Sequence, residues 1–324
     1  MNKHGCAAAP NRGRSSVSRT KYLAIRVSRR GILRLTMAAL TAVVLPTSFA
    51  AQLSHDGIKL SAKGKNYASY DFGDVKIVAL RDGYVDMPPT RLRQTTGGSF
   101  GALPADVLLV NGQLRLSVNA FLVIDNRRSV LIDTGASNAW HSSMGALLDG
   151  LREAGIDRNS ISRVALTHTH EDHANGLIAP DGTVAFPKAE SIFVPKEEVS
   201  QISGRLAKLR DRVIPVGDNF MVSDRITAIR ATGHSPGHTA YEVKSSAGTL
   251  LVWGDIIHVP SIQFGRPEIT WEFDDNQPEA RGARMAILER AAQPNTFVAG
   301  AHLDFPGIGR VTKRGNDFDF QGVD

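Results

Sequence analysis

The stretch Thr167-His168-Thr169-His170-Glu171-Asp172-His173-Ala174-Asn175-Gly176 sets three histidines and an aspartate within six consecutive positions, directly after the apolar run Val164-Ala165-Leu166. Neutral imidazole and carboxylate are the donors that zinc and other borderline divalent metals prefer, so these six residues offer four ligands. Side chains alternate along an extended segment leaving a strand, which sends His168 and His170 to one side, where they can grip a single ion. Asp172 and His173 follow after the chain turns, and their different aim suits a second ion. Four ligands cannot complete two metal sites, so the reading requires more His or Asp later in the chain.

Three candidates stand at the ends of later apolar runs. His238 follows the turn Gly233-His234-Ser235-Pro236-Gly237; Asp255 follows Thr249-Leu250-Leu251-Val252-Trp253-Gly254; His302 follows Phe297-Val298-Ala299-Gly300-Ala301. Loops emerging from a sheet are where a rigid scaffold places functional groups. His234 and His258 lie beside these ligands and suit partners that orient a ligand by hydrogen bonding, as does Asp133.

Composition misleads until the chain is divided. The net charge is +6 and the isoelectric point about 9.5, values that suggest nucleic-acid or membrane partners. The first 50 residues hold nine Lys or Arg and no Asp or Glu; without them 29 basic residues face 32 acidic ones, a net of −3. The basic character belongs to a leader, and no nucleic-acid partner is expected. Residues 1–50 have the anatomy of a twin-arginine export signal: Arg29-Arg30 ahead of Ile32-Leu33, an apolar run to Ala50, and small residues Ser48 and Ala50 before the cleavage point. That run is short for a membrane span of about 20 residues and contains Pro46. The expectation is therefore a periplasmic or secreted protein with no stable membrane insertion after cleavage. The single cysteine, Cys6, falls in the leader, so disulfides play no part in the remainder.

Residues 51–70 read as a polar, aperiodic N-terminal arm, and 71–324 as one domain with its own core. Val75–Leu80 reads as a strand closed by a turn at Arg81-Asp82-Gly83, and Ala120–Ile124 with Ser129–Asp133 as a hairpin. Trp140, Met144, Leu147, Leu148 and Leu151 fall at helical spacing up to Gly155. Pro88–Pro104 is a loop that either overhangs the site or simply connects. Lys196–Arg212 reads as a solvated helix, and a further helix is expected over Glu279–Ala292. Short strands mixed with helices suggest helices covering sheets in layers.

The order His168-x-His170-x-Asp172-His173, then His238, Asp255 and His302, resembles the metallo-β-lactamase-fold hydrolase superfamily across the whole domain. Within it, Gly233–Thr239, Gly254–His258 and Ala301–Gly309 are most similar to methyl parathion hydrolase-like enzymes, as are Phe72-Gly73-Asp74 and Leu131–Gly135; the segment Asp86–Ser117 does not match well. The resemblance implies an α+β fold, a four-layer αββα sandwich with two divalent ions at one edge, zinc first and iron or manganese as alternatives. It implies that His168, His170 and His238 hold one ion, that Asp172, His173 and His302 hold the other, and that Asp255 bridges them. The implied activity is attack of a metal-bridging hydroxide on an ester, lactone or phosphoester of a small-molecule substrate. Asp172 then serves as the catalytic group that accepts a hydrogen bond from the hydroxide and passes the proton on. The alternatives are a mononuclear iron dioxygenase of the same fold, a β-lactam-hydrolysing enzyme and a non-catalytic binding protein. A homodimer is compatible with this reading.

Overall fold

Alternation of apolar residues along most of the strands builds two sheets that share one interior. The computed structural model describes residues 57–323 except residues 97, 106 and 127; the expected leader, residues 1–50, lies outside them. The first sheet has eight strands in the order Lys59–Lys63, Tyr67–Phe72, Val75–Met87, Leu114–Ile124, Ser129–Ile132, Arg163–Ala165, Ser191–Pro195 and Val213–Val216. The second has seven: Met221–Ser223, Ile226–Arg230, Thr239–Ser245, Gly248–Val252, Thr296–Ala299, Ile308–Arg314 and Asp317–Gly322.

Period-two alternation gives each sheet an inner and an outer face. From the first sheet Ile77, Ala79, Phe121, Val123 and Ile132 enter a core shared with Tyr241, Val243, Leu250, Val252 and Phe297 of the second. The intervening Val78, Leu80, Leu122 and Leu131 pack instead with Leu147 and Leu151 of the helix Leu147–Glu153. On the far side, Leu251 and Val298 pack with Ile287, Leu288 and Ala291 of the helix Gln277–Ala291, which Asn276 caps by accepting from the Glu279 N–H. The result is the four-layer αββα sandwich. Phe297 meets Phe72 edge-on at 5.6 Å across the inter-sheet core, and its truncation to Ala would cost about 3–5 kcal/mol.

Strand direction then places the chemistry. Ser129–Ile132, Arg163–Ala165, Ser191–Pro195 and Val213–Val216 run parallel, as do Gly248–Val252 and Thr296–Ala299. The loops after Arg163–Ala165, Gly248–Val252 and Thr296–Ala299 carry the expected ligands, and the two sheets are tied there by Thr239 N–H donating to Thr167 O and Tyr241 O–H to Leu166 O, at 2.8 and 2.7 Å.

Several local expectations are corrected. Of the residues read as an arm, 57–70 are described and are not aperiodic: they hold the strand Lys59–Lys63 and most of the strand Tyr67–Phe72, whose Tyr70 and Phe72 are buried in the core. Arg81-Asp82-Gly83 does not end its strand; the register shifts between Arg81 and Gly83 and the strand continues to Met87. The helix begins at Leu147, leaving Trp140 and Met144 outside it. Lys196–Arg212 forms two 3₁₀ segments, Lys196–Gln201 and Gly204–Arg212, and Glu198 within it is buried. The segment after Met87 packs against the Val259–Trp271 segment: Leu92 and Phe100 share a core with Leu114, Leu116, Val259, Ile262 and Trp271, and Leu92–Arg93 pairs with Thr270–Trp271.

Candidate metal centre

Six of the seven expected ligands converge at the edge where the two sheets meet. His168 and His170 leave the strand Arg163–Ala165, and Asp172 and His173 lie on the single turn Glu171–Ala174 that follows. Asp255 and His302 arrive from the second sheet. His168 Nε2 faces His170 Nδ1 at 2.9 Å and lies 3.8 Å from Asp255 Oδ2. On the other side, His173 Nε2 and His302 Nε2 stand 3.6 and 3.7 Å from Asp172 Oδ2. Asp255 sits between the groups, with Oδ1 3.1 Å from His173 Nε2 and Oδ2 3.2 Å from His302 Nε2.

The seventh, His238, is a correction. Its Nδ1 donates to Ala231 O at 2.9 Å, and its Nε2 accepts the Asp255 backbone N–H at 3.0 Å. Burial, with the neighbouring His234, pushes its pKa down to about 3, so the ring is neutral and both nitrogens are engaged by backbone. It supports the loop beneath Asp255: at Gly254, where φ is +56°, a Cβ would meet His238 Nε2 at 2.7 Å. The place expected for His238 is taken by His234, whose Nε2 lies 3.0 Å from His170 Nδ1 and 3.1 Å from Asp255 Oδ2. From the sequence, His234 reads as a partner that orients a ligand, surplus to a set of seven already filled by His238. The available signal was that His238 stands next to the strand Thr239–Ser245, where ladder pairing engages its neighbours, whereas His234 sits at the loop apex.

Three of the inward-facing rings are held from behind by a backbone carbonyl or a carboxylate, as metal-binding histidines generally are. His173 Nδ1 pairs with Asp133 Oδ2 at 2.9 Å, His302 Nδ1 with Ser117 O at 2.7 Å, and His234 Nδ1 with Asp274 Oδ1 at 2.9 Å. Asp133, as expected, orients rather than ligates: it also accepts from Thr167 N–H and hydroxyl at 2.8 and 2.9 Å. Its φ of +60° is unusual for a non-glycine residue and turns the carboxylate back towards the ligand loop. Asp274 is anchored from below by buried Arg284 at 3.6 Å.

The donor set suits two divalent ions. His168, His170, His234 and Asp255 form one group with mutually close ligand atoms, and Asp172, His173 and His302 form another. His173 Nε2 and Asp255 Oδ1 are buried without a hydrogen-bond partner, the state expected of atoms shaped to meet a cation. Burial pushes the Asp255 carboxyl up, yet His302, His173, His234 and His168 together hold it well below the usual carboxylate range. Burial likewise opposes charge on His234, but Asp255 and Asp274 raise it to about 10. The centre therefore demands positive charge around Asp255, which bound protons or divalent ions can supply.

A family model for the metallo-beta-lactamase superfamily matches residues 114–302. The chain belongs to this superfamily. Among solved structures, it is similar to a hydrolase described as AbOPH in the beta lactamase superfamily, at 26% identity and TM-score 0.69, covering 81% of this chain and 99% of that one. AidC, a dizinc quorum-quenching lactonase, shares 20% identity at TM-score 0.69, with 80% and 98% coverage. A probable metal-dependent hydrolase from Staphylococcus aureus shares 19% at TM-score 0.64, with 78% and 99% coverage. No curated protein sequence matches.

In this superfamily member the metal centre floors a cleft of about 550 Å³. Val85, Met87, Leu116, Trp140, Trp271 and Phe273 form apolar walls, with Glu171, Glu272 and Asp275 alongside. Trp140 and Phe273 are exposed at the cleft, whereas Phe186 and Phe264 are core residues. His258 also lines the cleft. Its ring stacks on Trp271 at 5.4 Å, and its Nε2 lies 3.2 Å from Asp255 Oδ2. Burial pushes its pKa down to about 4.

Proposed function

We propose that this chain is an exported, dinuclear zinc-dependent hydrolase that cleaves uncharged ester-type substrates: lactones, aryl esters or phosphotriesters. The observation that carries the substrate class is the cleft lining, in which no lysine or arginine occurs among the described residues. Arg91, whose guanidinium lies 5.0 Å from the Phe273 ring, and Arg93 both pair with Glu272. With those two guanidiniums engaged by Glu272, an anionic substituent away from the metal centre would face Glu171 and Asp275 without a free cationic partner in the lining, and an unpaired charge in such a place is costly. This argues against β-lactam antibiotics, which carry a carboxylate, and favours neutral molecules with apolar groups.

One metal position would be held by His168, His170 and His234, the other by Asp172, His173 and His302, with Asp255 between them. Bound there, two divalent ions supply water acidified to a pKa of about 7 and polarise a carbonyl or phosphoryl oxygen. Asp172 lines the cleft and faces both His173 and His302. It is placed to accept a proton as the nucleophile is activated and to return it to the leaving group. Trp140, Phe273, Met87 and Leu116 bind the apolar part of the substrate and exclude water from it. The basic leader supports export.

The test pairs each neutral ester, lactone and phosphotriester with an analogue bearing a carboxylate, alongside elemental analysis. Two zinc ions per chain and a higher kcat/KM for the neutral member of each pair are expected. Equal rates would overturn the substrate class; a dizinc protein inert towards the whole panel would overturn the hydrolase assignment.

A further inference from the structure

Glu198 lies in a segment that reads as solvated, yet it is 4% exposed. It follows the strand Ser191–Pro195 and reaches between two loops from different sheets. Its Oε2 accepts from the Thr169 backbone N–H and hydroxyl, both at 2.7 Å. Its Oε1 accepts from the Gly237 backbone N–H at 3.0 Å and from the Ser235 hydroxyl. Thr169 is the residue between His168 and His170, and Ser235 directly follows His234. One buried carboxylate therefore ties the first-sheet ligand loop to the second-sheet ligand loop.

The fit is close on both sides. A Cβ at Gly237 would meet Glu198 Cγ and Oε1 at 3.0 Å and Pro195 Cβ at 2.7 Å, so only glycine lets this loop approach the carboxylate. Both oxygens are needed as acceptors. The hydroxyls of Thr169 and Ser235 can rotate, but the N–H groups of Thr169 and Gly237 are fixed by the backbone. An amide in place of the carboxylate would satisfy one loop and turn its NH₂ against the other, leaving a buried donor without an acceptor.

We propose that Glu198 is a positioning residue that holds His168 and His170 in register with His234, and so sets the affinity of the metal position those three histidines share. It touches neither metal nor substrate. The second position, formed by Asp172, His173 and His302, is not bridged by Glu198 and should feel its loss far less. The inference rests on the dinuclear reading above.

The test is zinc titration of the full chain against a chelating competitor, for the parent protein, Glu198→Gln and the neighbouring control Glu197→Gln, whose carboxylate pairs with Arg230 at the surface. The parent should bind two equivalents; fewer would count against the dinuclear reading itself. In Glu198→Gln one equivalent should weaken by about 10- to 100-fold, the range typical of lost ligand-orienting partners, while the other changes little and Glu197→Gln matches the parent. Two equivalents of parental affinity in Glu198→Gln, or an equal loss at both positions, would overturn the proposal. If Glu198→Gln fails to fold, Ser235→Ala removes one of the four donors and should weaken the same single equivalent by about tenfold; unchanged affinities there would equally overturn it.

Discussion

The two ligand loops do the same work but are built differently. In the first, four ligand side chains lie within one strand exit and the turn after it. In the second, the peptide from Gly233 to His238 brings two histidines, of which one reaches the centre and the other is buried beneath it. Local density of ligand types identifies the first loop. For the second, what decides is which imidazole has its nitrogens engaged by backbone, a property of folded geometry that spacing does not carry.

Exchanging the two histidines breaks the comparison most directly. His234→Ala should remove one metal equivalent and lower kcat/KM by more than the 10- to 100-fold typical of an orienting partner, measured by metal analysis and steady-state kinetics. His238→Ala should keep both equivalents at saturating zinc but lose about 2–4 kcal/mol of stability, since it leaves a cavity and two unmet backbone groups; denaturant unfolding measures this. The reverse pattern would restore the expectation that His238 is the ligand.

Buried carboxylates around the two loops sharpen the contrast. Asp82 is fully buried and accepts from the Ala136 N–H at 2.8 Å and the Leu147 N–H at 3.3 Å; burial outweighs these donors and raises its pKa to about 6. The folded state therefore retains the proton more strongly than the unfolded chain, whose carboxyl titrates near pH 4. The stabilisation from this group is fully present below about pH 4 and is lost as pH rises through about 6, a change of about 3 kcal/mol. In Asp82→Asn that slope should vanish from unfolding free energies measured between pH 4 and 7. Asp274, behind the second loop, goes the other way: burial would raise it, but His234, His258 and Arg284 hold it at about 2. The smallest effect is expected from Asp133→Asn, which keeps the shape but disturbs the hold on His173. Zinc affinity should fall by about 10- to 100-fold, with stoichiometry unchanged.

Much of the architecture was legible because alternation and strand-end glycines report directly on local backbone. The hairpin through Ala120–Ile124 and the long helix near Glu279 needed nothing more, whereas the αββα layering rested on the family resemblance carried by the ligand motif. Failures cluster where tertiary contacts override local pattern. Tyr70 and Phe72 are few among polar neighbours, yet sheet pairing makes their segment a strand. Trp140 fits a helical stripe by spacing, but the helix starts later and leaves it at the cleft. Glu198 sits among charges that look solvated, and only the approach of Thr169 and Gly237 shows that it is buried. In each case the missing information was a partner distant in the chain.

The seam between the sheets also bears on how the molecule comes into being. As a chain is made from its N-terminus, His168, His170, Asp172 and His173 emerge together and can capture an ion while the second sheet does not yet exist. His302 emerges only after the strand Thr296–Ala299, which must pair beside Gly248–Val252 before the centre closes. Early capture of one ion would lower the entropy of docking the second sheet, giving the metal a part in the order of assembly as well as in the chemistry.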